Sequence, residues 1–274
     1  MQRPDWLLQI PADVYHAATK RNEYTTSHRL NLFRKCPALY KKTIDGEIVE
    51  GDTAAFQLGR ATHTLILEGR EKFAAEFTVS DGPVNPKTGE AYGRATKAYR
   101  EWAAEQMKPV VSSEDFELIA KMRDAVHAHK VAADLLKDGF AEGTIRTKWR
   151  DEPVQARLDW FDPERNIIVD LKTCADVDRF GFDIRDHGYV MQKAFYAHCV
   201  YLSSSRLPKA YLVAVEKKEP FRVAVVEICA LTLEDANLAT EGKYGYGNDL
   251  MLSELLKCRA DNVWPTRYEE VSVI

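Results

Sequence analysis

Three consecutive segments, "GTIRTKWR" (143–150), "PVQARLDWF" (153–161) and "NIIVDLKT" (166–173), alternate apolar with polar residues or run apolar throughout. The interruptions between them, "DEP" and "DPER", carry turn chemistry. A two-residue period broken only by tight turns predicts a three-stranded antiparallel meander. The sequence on either side of it is helical in character, so the chain reads as α/β.

Upstream, residues 1–50 read as short helices joined by loops. Ser27 is placed to cap a helix carrying Leu30 and Phe33, and Pro37 to open the next one. A helix is predicted over 53–68, ending before Gly69, with Phe56, Arg60, His63 and Leu67 on one face. The Pro/Gly-rich stretch "SDGPVNPKTGE" (80–90) reads as a loop. It is followed by a helix over about 91–107 bearing Arg94, Lys97 and Arg100, then by one over about 114–137 introduced by Ser112 or Ser113. Downstream come a helix over 189–204, two strands ("KAYLVAVE" and "FRVAVVEIC") around the turn "KKEP", and a last helical region from Thr232 to about 258. The glycines of 242–247 stand as an interruption in that region. No internal repeat is visible. The expectation is one domain over 1–274, its first 140 residues mainly helical and 141–274 forming an α/β core.

Composition narrows the class without naming it. Hydrophobic residues at 45% and charged residues at 29% are ordinary globular usage and exclude wholesale disorder. No apolar run reaches membrane-spanning length, and the N-terminus lacks the apolar core and cleavage site of a secretory signal. Cys36, Cys174, Cys199, Cys229 and Cys258 are scattered singly, which argues for a reducing cytoplasm and against a disulfide framework or zinc ribbon. A net charge of −4 neither advertises nor excludes a nucleic-acid partner, because one groove can be basic on an acidic protein.

The chemistry concentrates in the meander. Residues paired across the turn near 163–165 place Asp159 and Asp170 almost opposite each other on neighbouring strands. Two carboxylates so close repel unless a cation lies between them, and hard oxygen donors suit Mg²⁺ or Mn²⁺. Lys172 lies two residues beyond Asp170 and so points to the same face. An ammonium beside such a cluster can polarise a water or stabilise charge on a phosphoryl oxygen. Taken alone, an Asp-x-Lys at a strand end is as readily a surface ion pair. His63 alone reads as a satisfied or exposed helix histidine, and Gln192 and Tyr196 as polar positions on a half-buried helix. Glu68 and Glu142 read more simply as a solvent-facing or capping acid and a loop glutamate than as supporting acids. His127 and His129 read as exposed helix residues, and Trp149 and Trp160 as core.

Taken together, the motifs resemble the PD-(D/E)xK nucleases. The order of helix, strands bearing D…DxK, and helix resembles their restriction-endonuclease-like core, a mixed central sheet flanked by helices. More narrowly, His63 in "GRATHTLILE", Asp159 in "RLDW", "DLKT", and Gln192 with Tyr196 in "QKAFY" resemble the RecB-type branch, as does "TTSHRLNLFRKCPALY". Within that branch the segments 24–70 and 140–205 are most similar to the nuclease domain of the exonuclease VIII (RecE) type of prophages. The resemblance implies that His63, Asp159, Asp170 and the Leu171 carbonyl hold a Mg²⁺ ion, with Mn²⁺ as a substitute. It implies that Lys172 orients the attacking water while Gln192 and Tyr196 shape the site and touch the phosphate or Lys172. Arg60, Arg94 and Lys97 are candidate DNA contacts. The implied activity is a 5′-to-3′ exodeoxyribonuclease on double-stranded DNA ends in phage-type recombination. The implied state is a homo-tetramer that works with a single-strand annealing protein. No iron–sulfur cluster is expected, since Cys36 matches the first cysteine of the cluster-bearing members but only Cys258 lies near the C-terminus. The alternatives are another RecB-branch nuclease, of single-strand or endonuclease type, and an inert DNA-end-binding protein.

Overall fold

A computed structural model describes residues 2–48, 51, 54–238 and 246–267. In chain order the elements begin with helices α1 (Ala12–Lys20), α2 (Ser27–Lys35), α3 (Pro37–Ile44) and α4 (Ala54–His63). A π turn (Thr64–Glu68) leads into α5 (Gly69–Glu76), and β1 (Thr78–Val79), α6 (Lys97–Ala104), β2 (Val110–Val111), α7 (Ser113–Ala128) and α8 (Lys130–Leu135) follow. The meander comprises β3 (Phe140–Trp149), β4 (Glu152–Asp162) and β5 (Ile167–Cys174). A 3₁₀ turn (Val177–Arg179), α9 (Phe180–Asp186) and α10 (Tyr189–Ser204) carry the chain to β6 (Lys209–Glu216) and β7 (Val223–Ile228), then α11 (Ala230–Leu238) and α12 (Asn248–Asp261).

The main sheet has the order β3-β4-β5-β6-β7. Only β5 and β6 run parallel, joined by the crossover through α9 and α10; the other pairs are antiparallel. It is therefore a mixed sheet, and helices cover both faces. On one face Ile145, Leu158, Ile168, Leu212 and Ala214 pack against α2, α10 and α12 through Leu30, Phe33, Phe195 and Leu252. On the other, Ile167, Val169, Leu171, Val213 and Val215 meet Leu65 and Ile66 of the π turn, Ile119 and Met122 of α7, and Leu135. The helical first half thus contributes to both cores. Leu8 bridges Thr144, so the N-terminal segment covers the β3 edge, where an added Cβ on Gly143 would come within 2.7 Å of Leu7 Cδ1. Among the described residues no helix is long and apolar enough to cross a membrane.

Several boundaries differ from the sequence expectation for identifiable reasons. The helix expected over 91–107 is confined to 97–104, because Val84 bridges Ala91 and Tyr92 N–H donates to the Pro83 carbonyl, drawing the preceding residues into a closed turn. The 114–137 helix breaks at His129, whose extended backbone and ring nitrogen cap α8 by accepting from Ala132 N–H. Thr26, not Ser27, caps α2. His127 Nε2 contacts the Ile66 carbonyl at 3.0 Å, and so ties α7 to the π turn rather than standing free. The 3₁₀ turn and α9 have no counterpart in the sequence expectation; Asp176 initiates them by accepting from Asp178 N–H. The last helical region begins at Ala230, two residues before Thr232. Gly242 and Gly245 lie outside the described residues, whereas Gly247 is the N-cap of α12.

Glu216, at the end of β6, is fully buried and accepts two hydrogen bonds from the Arg222 guanidinium, at 3.0 and 2.7 Å. Those bonds hold its carboxyl at about 2. A folded value below the ordinary carboxylate range means that the pair stabilises the fold above that range and loses this contribution as pH falls through it. Glu216→Gln is therefore expected to lower the urea midpoint at pH 7, with the gap to wild type closing as pH approaches 2. A gap of constant size across that window would show that the charge is not what stabilises.

Candidate functional site

The site is built where the meander loses its regular pairing. Asp162, Phe161 and Trp160 of β4 face Ile167, Ile168 and Val169 of β5. The same offset makes Asp159 and Asp170 the next pair, and the ladder stops just short of them. Between β3 and β4, the pairs Ala141↔Trp160 and Gly143↔Leu158 flank Glu142 and Asp159, which are themselves unpaired. Leu158 and Phe161, an odd number of residues apart, belong to one core and Trp160 to the other; on β3, Phe140 and Ile145 likewise share one core while Ala141 belongs to the other. Side-chain alternation therefore slips on both strands at Glu142 and Asp159. Glu142 absorbs the slip with a φ of 56°, in the left-handed region that a glutamate rarely adopts.

His63, the last residue of α4, brings Nδ1 to 3.5 Å from Asp159 Oδ2. One donor atom each from His63, Glu142 and Asp159 lies within 4.8 Å of the others. Asp159 Oδ2 also accepts a 2.9 Å hydrogen bond from Leu171 N–H. What Leu171 brings to the site here is its amide. Arg157 Nε donates to Glu142, and Arg157 Nη1 donates to the Ile10 carbonyl at 2.9 Å. Burial and the nearby Asp159 charge push the Glu142 carboxyl up to about 7, against the pull of Arg157. One imidazole and two carboxylates form a donor set of the kind that binds a hard divalent cation with positions to spare.

Asp170 is 3% exposed. Its Oδ1 accepts from Lys193 Nζ and its Oδ2 forms an ion pair with Lys172 Nζ. Beyond Lys172, Oδ2 has no partner among the described residues, and Asp170 stands outside the His63–Glu142–Asp159 donor group. Burial alone would raise the Asp170 carboxyl; Lys172 and then Lys193 outweigh it and hold it at about 2. Lys172 Nζ also lies 4.8 Å over the Tyr189 ring, and Lys193 Nζ 4.2 Å over that of Tyr196. Gln192 Nε2 donates to Tyr196 Oη at 3.3 Å, while its Oε1 is buried without a partner among the described residues. The Gln192–Tyr196 pair therefore borders Lys193, and it is Tyr189 that borders Lys172.

The candidate DNA contacts sit on separate elements. Arg60 is exposed on α4, one turn before His63. Arg94 precedes α6 and pairs with Asp115 of α7, and Lys97 pairs with Glu101 within α6 at 3.5 Å. Two residues of the centre differ from the sequence reading: Glu142 is weighed there as a supporting acid but read as a loop glutamate, and Lys193 is not singled out. Glu142 gives no signal beyond its position ahead of a strand. Lys193 gives one: it is the sole Lys, Arg, Asp or Glu in the 16 residues of α10, amid apolar neighbours.

A carboxylate pair and a lysine on the second and third strands of such a sheet, with helices on both faces, define the PD-(D/E)xK nuclease fold. Residues 27–274 match the family described as a PDDEXK-like domain of unknown function, DUF3799, and the chain belongs to that family. A crystal structure of a candidate exonuclease from Eubacterium rectale is similar over 97% of this chain and 96% of that one, with TM-score 0.68 and 14% identity. At that identity the likeness speaks for the fold. A phage-related exonuclease from Haemophilus somnus 129PT is 16% identical over 85% of this chain and 96% of that one, but its TM-score of 0.33 supports no argument. Among curated protein sequences none matches.

Replacing a residue that merely supports a metal ligand commonly costs about 10–100-fold in metal affinity, so removing a donor should cost at least about tenfold. His63→Ala, Glu142→Gln and Asp159→Asn are each expected to weaken Mn²⁺ binding to that extent, as measured by electron paramagnetic resonance of the free ion. Unchanged binding in Glu142→Gln would remove Glu142 from the donor set.

Proposed function

We propose that the protein is a Mg²⁺-dependent nuclease that hydrolyses phosphodiester bonds, acting 5′-to-3′ as an exodeoxyribonuclease on duplex DNA ends in phage-type recombination. The observation that carries the reading is the meeting, at one sheet discontinuity, of the His63–Glu142–Asp159 donor group with the Asp170–Lys172 pair. The exonuclease description of the Eubacterium rectale structure is in keeping with it. The reading extends to a homo-tetramer that encloses DNA and to cooperation with a single-strand annealing protein, both carried by the RecE-type resemblance.

His63, Glu142 and Asp159 would hold the cation, with Asp170 Oδ2 as a further donor. The bound cation would supply a lowered water pKa and charge neutralisation at the scissile phosphate. Asp170 keeps Lys172 charged and aimed, so that its ammonium can orient the attacking water and steady charge on a phosphoryl oxygen. Tyr189 covers the Lys172 ammonium and limits the directions in which it can donate. Arg157 neutralises part of the Glu142 charge and fixes its carboxylate against the N-terminal segment. Arg60, on the helix that carries His63, is the cation best placed to meet the phosphate backbone, and losing it should reduce the salt dependence of binding.

The test is to incubate linear duplex DNA, 5′-labelled on one strand, and the same DNA as a closed circle, with Mg²⁺ or with EDTA. Wild type is expected to release short labelled products from the linear form only, in Mg²⁺ only. Lys172→Ala is expected to lower the rate by at least about a hundredfold, the lower range of a positioned general acid–base group. Cutting of the circle would point to the endonuclease reading. Failure to cleave any duplex or single-stranded substrate with Mg²⁺ or Mn²⁺ would leave an inert DNA-end-binding protein.

A further inference from the structure

Lys193 belongs to none of the motifs and has no part in the chemistry above, yet it is among the most deeply buried polar groups of the chain, 1% exposed. A buried ammonium carries a large desolvation cost and is retained only with a partner. Its partner is Asp170, which already has Lys172. One lysine would neutralise that carboxylate. The second ammonium also feels the Asp159 carboxylate, so what sets Lys193 apart is not charge count but its place on the other oxygen of Asp170.

The two ammonium groups are not equivalent. Lys193 comes from α10 and hydrogen-bonds Oδ1; Lys172 comes from β5 itself and pairs with Oδ2, so each oxygen of Asp170 meets a different ammonium. We infer that Lys193 is a positioning residue for the hydrolytic site, which clamps Asp170 through Oδ1 and reserves Oδ2 for the cation and Lys172. The inference rests on the nuclease reading above. Held at Oδ1, the carboxylate cannot swing about its Cβ–Cγ bond, and it offers a divalent ion one oxygen in one orientation rather than two. The clamp has an electrostatic consequence of definite sign. A fixed positive charge within hydrogen-bond reach of a ligand weakens that ligand's hold on a cation. Lys193 therefore improves geometry at the expense of affinity.

The experiment is a Mn²⁺ titration by electron paramagnetic resonance on wild type, Lys193→Met and Lys193→Arg. It is paired with kcat on duplex DNA at saturating metal and with thermal melting. Methionine keeps an apolar stem of similar length and removes the charge. Lys193→Met is expected to bind Mn²⁺ at least about fivefold more tightly, since a competing cation is gone. Its kcat is expected to fall at least about tenfold, since misplaced reacting groups cost that much or more. Lys193→Arg should restore both to within about threefold, as a second cation at the same oxygen. Tighter metal with slower turnover is a split that partial unfolding does not produce. The inference is overturned if Lys193→Met changes neither quantity, or if Mn²⁺ affinity, kcat and melting temperature all fall together. Should Lys193→Met not fold, Asp170→Asn/Lys193→Met removes both buried charges. It should bind Mn²⁺ more weakly than wild type, and equal affinity would show that Asp170 supplies no ligand and overturn the inference. Absence of cleavage by wild type would sink the nuclease reading alone, because the Mn²⁺ titration still decides the role of Lys193.

Discussion

Asp170 occupies an interior strand at 3% exposure, where an unpaired carboxylate would carry a desolvation cost of several kcal/mol. The fold offsets that cost with Lys172 from the same strand and Lys193 from the helix laid across it. This arrangement fixes more than charge. It requires α10 to dock with Lys193 facing β5, which in turn sets Tyr189 over Lys172 and Tyr196 under Lys193. The crossover that makes β5 and β6 parallel is the same helix, so topology and electrostatics constrain each other.

The second constraint is the slip in β3 and β4. A regular antiparallel ladder would continue past Glu142 and Asp159, with each side chain committed to one core or the other. The left-handed turn at Glu142 breaks that commitment, and both acids leave the apolar layers to meet His63. Backbone strain at a single residue is thus coupled to the placement of two carboxylates, in keeping with its tendency to collect where chemistry happens.

The parts of this arrangement that are legible in the sequence are those encoded by strand period and turn position. The offset of β4 against β5 follows from one tight turn, so the proximity of Asp159 and Asp170 can be read from residue spacing alone. The limits of α10 and β6 follow from uninterrupted patterns between clear breakers. What is not legible is set by tertiary packing. Glu142 reads as a loop glutamate because nothing local announces a left-handed residue inside a strand. Lys193 is a lone charge in an apolar helix, and only the docking of that helix decides whether it faces solvent or an acid. Arg94 fails as a helix partner of Lys97 because Asn85 and Gly89 fold the preceding residues into a turn. His127, held to the Ile66 carbonyl by tertiary packing, and His129, at a helix start, carry no pattern at all.

The π turn behind His63 bears on how such a chain can vary. Thr64, Leu65, Ile66 and Leu67 are all buried, an unbroken run that one face of a regular helix could not accommodate, while Phe56 and Arg60 before them are exposed. The wider turn lets the segment act as an axle threaded through the second core, with His63 as a lever at its end. Swapping one apolar residue for another along the axle leaves the lever where it is. Removing a single residue would rotate the lever by about 100° and carry the imidazole off the sheet edge. In this stretch the length of the segment, more than the identity of its apolar side chains, sets where His63 stands.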